Sequence, residues 1–187
     1  MAEARATVRV WDPLVRLFHW SLVGAYAIAY LTQEQEYELH LAAGYTIAGL
    51  VVFRIVWGFI RPRRSRFSDF VRGPGKVFGY LLGLFRGSVP RYLGHNPAGG
   101  AMIVAQLILL VVICASGVAL DAAENRSGPL ADTRMFLYTD TIDDVHEAAT
   151  NVSLALVVLH LVGVAASSRA HRENLVMSMI TGRKRAE

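Results

Sequence analysis

The sequence predicts an all-α protein, an integral membrane four-helix bundle with both termini in the cytoplasm. Three observations lead there. Of 187 residues, 53% are hydrophobic and only 18% are charged, which is too apolar for an ordinary soluble domain. Four stretches approach or reach the roughly 20 apolar residues that a bilayer crossing needs. The charges are also sorted between the connections. The amino-terminal arm, the 61–100 connection and the tail are basic, while the 32–39 and 121–144 connections are acidic or mostly so. Cytoplasmic loops carry the excess of Lys and Arg, so this alternation sets the orientation. The whole chain, 1–187, reads as one membrane domain.

Taken in order, residues 1–13 are a short polar arm with Arg5, Arg9 and a Trp11-Asp12-Pro13 turn. The first span is expected over about 14–31, with Arg16 and His19 near its start. Ala27-Ile28-Ala29 resembles a signal-peptide cleavage site, but His19, Trp20 and Tyr26 are poor residues for such a segment, and a retained helix is expected. A short link with Glu34, Glu36 and Glu38 precedes the second span, about 40–60, which opens on His40 and holds Arg54 well inside. Arg61-Pro62-Arg63-Arg64 stops it.

The connection 61–100 carries Arg61, Arg63, Arg64, Arg66, Arg72, Lys76, Arg86 and Arg91 against Asp69 alone. Its apolar piece, Val77 to Phe85, is too short to span. About 67–90 is therefore expected on the membrane surface, with Phe67, Phe70, Phe78, Tyr80 and Phe85 at the interface. The third span, about 101–120, has no charge at all. The fourth, about 142–166, carries His146 and His160. A polar tail follows, with His171 expected in solvent.

Composition narrows the function. The net charge of +4 lies beside apolar spans, so it reads as topology and not as a nucleic-acid footprint. The single cysteine, Cys114, excludes an intramolecular disulfide and a Cys-ligated cluster. The CxxCH attachment motif of c-type haem is absent.

The histidines are the informative residues. His146 and His160 are fourteen residues apart, roughly 40° short of four helical turns and roughly 21 Å along an axis. Both imidazoles thus share one helix face, with Ala149, Thr150, Ser153 and Val157 between them. By depth, His19 matches His160 on the cytoplasmic side, and His40 matches His146 on the outer side. Paired neutral imidazoles in an apolar bundle suit the axial positions of a haem iron. The layering predicts two haem b groups, one held by His19 and His160, the other by His40 and His146. With both axial positions filled, electron transfer is the natural task.

Each histidine alone has a plainer reading as an interfacial or hydrogen-bonded residue; their pairing by depth argues for haem. A zinc site lacks acidic or thiol partners at those depths. Arg54 shares the face of His40 at the cytoplasmic layer. It either pairs with propionates of the inner haem or snorkels to headgroups. Gly44, one turn after His40, allows close approach of a macrocycle or tight helix packing.

Several motifs then resemble one family. They are Val10-Trp11-Asp12-Pro13 with Arg16-Leu17-Phe18-His19-Trp20, His40 with Ala43-Gly44-Tyr45, Phe53-Arg54 with Trp57-Gly58, Gly94-His95-Asn96-Pro97 with Gly99-Gly100, and His171-Arg172-Glu173-Asn174-Leu175. Together they resemble the bacterial di-haem cytochromes b561, including the b-type cytochrome subunits of nickel-iron hydrogenases. The resemblance implies a four-helix protein of the bacterial inner membrane, with two haem b groups ligated from helices one, two and four. It also implies exchange of electrons with a quinone, ubiquinone or menaquinone, and with a partner redox protein. His95 and Asn96 are candidates for hydrogen bonds to a quinone carbonyl. Asn96 also suits a helix cap with Pro97 in the first turn.

The leading expectation is an electron-transfer subunit between the quinone pool and a periplasmic cytochrome c or a dehydrogenase or hydrogenase subunit. Membrane lipid is the surrounding partner, nucleic acid is not expected, and homodimer formation is left open. The alternative is a stand-alone superoxide:ubiquinone oxidoreductase. That would want a positive outer surface, whereas the outer connections are largely acidic, with only Arg126 and Arg134. An acidic outer face instead suits a basic cytochrome c.

Overall fold

The computed structural model describes residues 7–33, 36–60, 66–87 and 90–186. The expected roles of Arg5, Glu34 and Arg61-Pro62-Arg63-Arg64, and the side chain of Phe85, lie outside the described residues. The long elements are α1 (Pro13–Thr32), α2 (Tyr37–Ile60), α5 (Pro97–Asn125) and α6 (Thr139–Ala170). Shorter ones are α3 (Phe67–Phe70), α4 (Pro74–Phe85), a 3-10 turn (Met135–Tyr138) and α7 (Leu175–Thr181). Strands β1 (Thr7–Arg9) and β2 (Arg183–Arg185) complete the order. Four helices are long and apolar enough to cross a membrane. Their outward side chains are apolar, as lipid requires: Leu17 is 64% exposed, Leu31 79% and Phe59 71%.

The helix starts follow local chemistry. Asp12 caps α1, its Oδ1 accepting from the Leu14 N–H at 2.8 Å with Pro13 in the first turn. Asn96 caps α5 in the same way, accepting from the Gly99 N–H at 2.7 Å ahead of Pro97. An Asx cap followed by proline satisfies an orphan amide where proline has none to offer. Helices α5 and α6 are longer than the spans expected from hydropathy, about 101–120 and 142–166.

The chain clusters into two compact units. One comprises Met1–Trp20, Arg54–Val104 and Val158–Glu187; the other comprises Ser21–Phe53 and Ala105–Val157. Each long helix gives one end to each unit. The first unit therefore collects the start of α1, the end of α2, the start of α5, the end of α6, both chain ends and the basic connection. The second collects the two acidic connections. This is the alternation that the charge pattern predicts.

Within the first unit the polar tail is not loose. β1 and β2 pair antiparallel, with Thr7 opposite Arg185, Val8 opposite Lys184 and Arg9 opposite Arg183. Gly182, at φ +80°, turns the chain from α7 into β2, and its carbonyl accepts from the Val10 and Trp11 amides. Lys184 is only 6% exposed. Its ammonium donates to the Tyr92 carbonyl and lies 5.3 Å from the Trp11 ring centre. Arg91 pairs with Glu173 at 3.2 Å, and Glu173 also accepts from the Arg185 amide at 3.0 Å. His171, expected in solvent, is half-buried, its carbonyl accepting from Arg185 at 2.7 Å.

The aromatic residues of the connection also differ from expectation. Phe70 and Tyr80 are buried, and Phe67 packs on Gly58. Of the five aromatic residues expected at a membrane interface, Phe78, 72% exposed, does face outward. Segments α3 and α4 present one apolar side to the first unit, which draws three aromatic side chains inward.

Candidate functional site

The second unit brings His40 and His146 together. Their ring centres are 6.3 Å apart and the planes are inclined at 69°. Two metal–nitrogen bonds of about 2 Å plus the two ring radii span roughly the same distance. Each ring is held through Nδ1. That of His40 lies 2.8 Å from the Ala29 carbonyl oxygen, which can only accept. That of His146 lies 3.0 Å from Ser116 Oγ, whose own proton goes to the Val112 carbonyl at 2.8 Å. In both rings Nδ1 carries the proton and Nε2 keeps its lone pair. This is how a ligating imidazole is oriented by an outer partner. Gly117 lies against the His146 ring; a Cβ there would stand 3.1 Å from Cε1.

Below these rings in the same unit is a buried polar cluster. Ser153, wholly buried, accepts from Tyr26 and from Gln106 at 3.2 Å each. At the opposite end of the unit Asp121, 4% exposed, accepts from the Tyr37 hydroxyl, which in turn accepts from Asn125 at 2.9 Å. These contacts join α1, α5 and α6 in the first case, α2 and α5 in the second.

The first unit holds His19, His160, Arg54, His95 and Asn96. His19 and His160 lie close enough for their charges to interact. His19 Nδ1 is buried without a partner. His160 stands exposed on the apolar end of α6, where an uncovered imidazole is costly in a membrane. Gly163 and, in the second unit, Gly44 have no described atom within 4 Å of where a Cβ would be. Open flanks beside both histidine pairs suit a broad flat group, and haem fits this donor set. Close helix packing, the other reading of Gly44, is not what that glycine serves.

Arg54 is 3% exposed, so its guanidinium does not reach the surface as a snorkelling side chain would. It lies 5.1 Å from the Phe67 ring centre and 5.8 Å from that of Phe70. His95 is stacked between Trp11 and Phe70, with ring centres 4.6 and 4.9 Å away. Burial, reinforced by Arg54, Lys184 and His160, pushes its pKa down to about 3, so the ring is neutral at physiological pH. Asn96 is committed to its cap. The spacing of histidines finds none of Ala29, Ser116, Trp11 or Phe70. The glycine next to Ser116 is the only local hint that a ring packs there.

The family model for prokaryotic cytochrome b561 matches residues 10–182. A curated relative from Azotobacter chroococcum mcd 1, described as a probable Ni/Fe-hydrogenase B-type cytochrome subunit, is 27% identical over 157 residues. That match covers 76% of this chain and 65% of the relative, so the chain spans just under two thirds of its length. No solved structure matches. A b-type cytochrome carries haem b and serves electron transfer, and four membrane-length helices fit a multi-pass protein. With a family match from just after the first strand to the turn before the second, the chain belongs to the prokaryotic cytochrome b561 family.

Proposed function

We propose that this protein passes electrons between the quinone pool and a partner redox protein across the bacterial inner membrane, using two haem b groups. His40 and His146 hold one; His19 and His160 hold the other. Haem b supplies reversible one-electron chemistry when bound. The protein's residues supply the rest: four imidazoles, those of His40 and His146 oriented through Nδ1, an apolar surround, and one helix, α6, that carries a ligand for each pair. The observation that carries the reading is the His40–His146 pair, with both Nδ1 atoms engaged and both Nε2 atoms left for iron. The basic first unit, with both chain ends, faces the cytoplasm. The acidic connections face outward, where a basic cytochrome c or the electron-entry subunit of a hydrogenase or dehydrogenase docks. At the candidate quinone contact His95 supplies a side-chain N–H, while the Asn96 Oδ1 is taken by the α5 cap.

The test is haem content and spectrum. Purified protein is expected to carry close to two haem b per chain by pyridine haemochrome assay. His160→Ala and His146→Ala are each expected to remove one haem, with different spectral losses. A haem-free wild type sinks the reading, and identical single losses sink the pairing.

A further inference from the structure

We infer that Arg54 and His95 form a single anion clamp in the first unit, and that the carboxylate it takes is a propionate of the haem held by His19 and His160. This deepens the function proposed above and rests on that ligand pair.

Among the buried side-chain polar atoms of this unit that have no hydrogen-bond partner in the described residues, two lie on the same aromatic ring. Arg54, 3% exposed, has an unpartnered Nη1. His95 has an unpartnered buried Nδ1. Arg54 makes no ion pair with an acidic side chain among the described residues; its guanidinium rests on the Phe67 and Phe70 rings instead. A guanidinium enclosed in a membrane protein without an anion is strongly disfavoured. His95 rests on the same Phe70 ring, and the Arg54 charge is felt at His95. Phe70 is itself pinned, because the Gly100 backbone sits directly against its carbonyl. The two orphan donors are thus fixed around one side chain.

A carboxylate matches them. It offers the negative charge that Arg54 lacks and a second oxygen for the neutral His95 N–H. A quinone carbonyl would satisfy His95 and leave Arg54 uncompensated. Lys184 is near but is already bonded to the Tyr92 carbonyl, so it adds field and not a contact. His160, a proposed ligand of that haem, belongs to the same unit and is among the charges felt at His95.

The experiment uses full-length protein and redox titration of both haems. His95→Phe keeps a ring between Trp11 and Phe70 and deletes the donor. It is expected to retain two haems per chain and to lower the midpoint potential of the haem that His160→Ala removes, leaving the other unchanged. The sign follows because a less neutralised propionate favours the ferric state. Arg54→Gln is expected to shift the same haem further. Apoprotein reconstituted with haem dimethyl ester, whose propionates are blocked, is expected to lose the difference between wild type and His95→Phe. An unchanged potential in His95→Phe overturns the clamp, as does a loss confined to quinone reduction. A difference that persists with the ester, or that inorganic phosphate modulates, assigns the clamp to a free anion and overturns the propionate. Wild type lacking haem removes the underlying function instead, so the two failures are distinguishable.

Discussion

The Nδ1–H of His40 donates to the carbonyl of Ala29 across 2.8 Å. Ala29 lies within the last turns of α1, where a helix leaves carbonyls without amide partners. His40 uses one of them to fix its ring. A proposed ligand on one helix is thereby oriented by the backbone near the end of another. His146 is held instead by the side-chain hydroxyl of Ser116.

Ser116→Ala removes the side-chain acceptor of the His146 ring and leaves the Ile113 carbonyl as its remaining partner. Loss of such an outer partner weakens metal affinity about 10- to 100-fold. Haem at the His40–His146 pair is expected to dissociate faster and, where retained, to show a raised potential, because the imidazole becomes a poorer donor. Haem transfer to apomyoglobin measures the first effect and redox titration the second.

Gly117→Val is expected to be more severe. Even a Cβ at this position would stand 3.1 Å from His146 Cε1, and the branched methyls add bulk beside the ring. One haem per chain should remain, spectrally that of the His19–His160 pair. Two unperturbed haems in the variant would show that the ring can yield.

Gly100→Ala places a methyl on the Phe70 carbonyl. Backbone cannot rotate away as a side chain can, so α3 must shift. A cost of roughly 1–3 kcal/mol is expected, as for overpacking elsewhere. It should appear as a lowered thermal midpoint and as faster proteolysis in the 66–87 segment.

The ribbon of β1 and β2 is expected to open in acid. Burial would raise the Glu173 carboxyl, but the Arg185 amide and Arg91 outweigh it and hold the pKa below its ordinary 4.5. A depressed carboxylate contributes stability above the unfolded value, and that stability fades as pH falls through the folded value. Lys184, pushed down chiefly by burial, opposes it, since its charged form is the disfavoured one. Protection factors at residues 7–11, with intrinsic exchange divided out, should therefore fall below about pH 4.5, and Glu173→Gln should be poorly protected there already at neutral pH.

What the sequence reveals depends on the kind of signal. The four spans are legible because hydropathy integrates over about twenty residues, and the sorting of the chain ends is legible because Arg and Lys cluster in alternate connections. The grouping of His40 with His146, and of His19 with His160, follows from helix rise alone. The ribbon is not legible. Its strands are three residues each, and Arg183-Lys184-Arg185 reads as a solvated basic run until Val8 and Trp11 cover Lys184. Phe67, Phe70 and Tyr80 mislead for a related reason. Aromatic residues among basic ones form the same pattern whether they face lipid or protein. Ser116 is hidden because one hydroxyl in an uncharged helix bonds its own backbone by default, and only the fold supplies the ring that shares it.

The ribbon also sets an order of events during synthesis. Its first strand is made before α1; its second is made only after α6. Until then Val8 has no strand to pair with, and the Val10 and Trp11 amides lack the Gly182 carbonyl. The half of the molecule that contains His19 therefore cannot close until the whole set of membrane helices has been made. Haem loading at His40 and His146 has no such delay beyond α6 itself, so the two sites are expected to mature in sequence, with the His40–His146 site first.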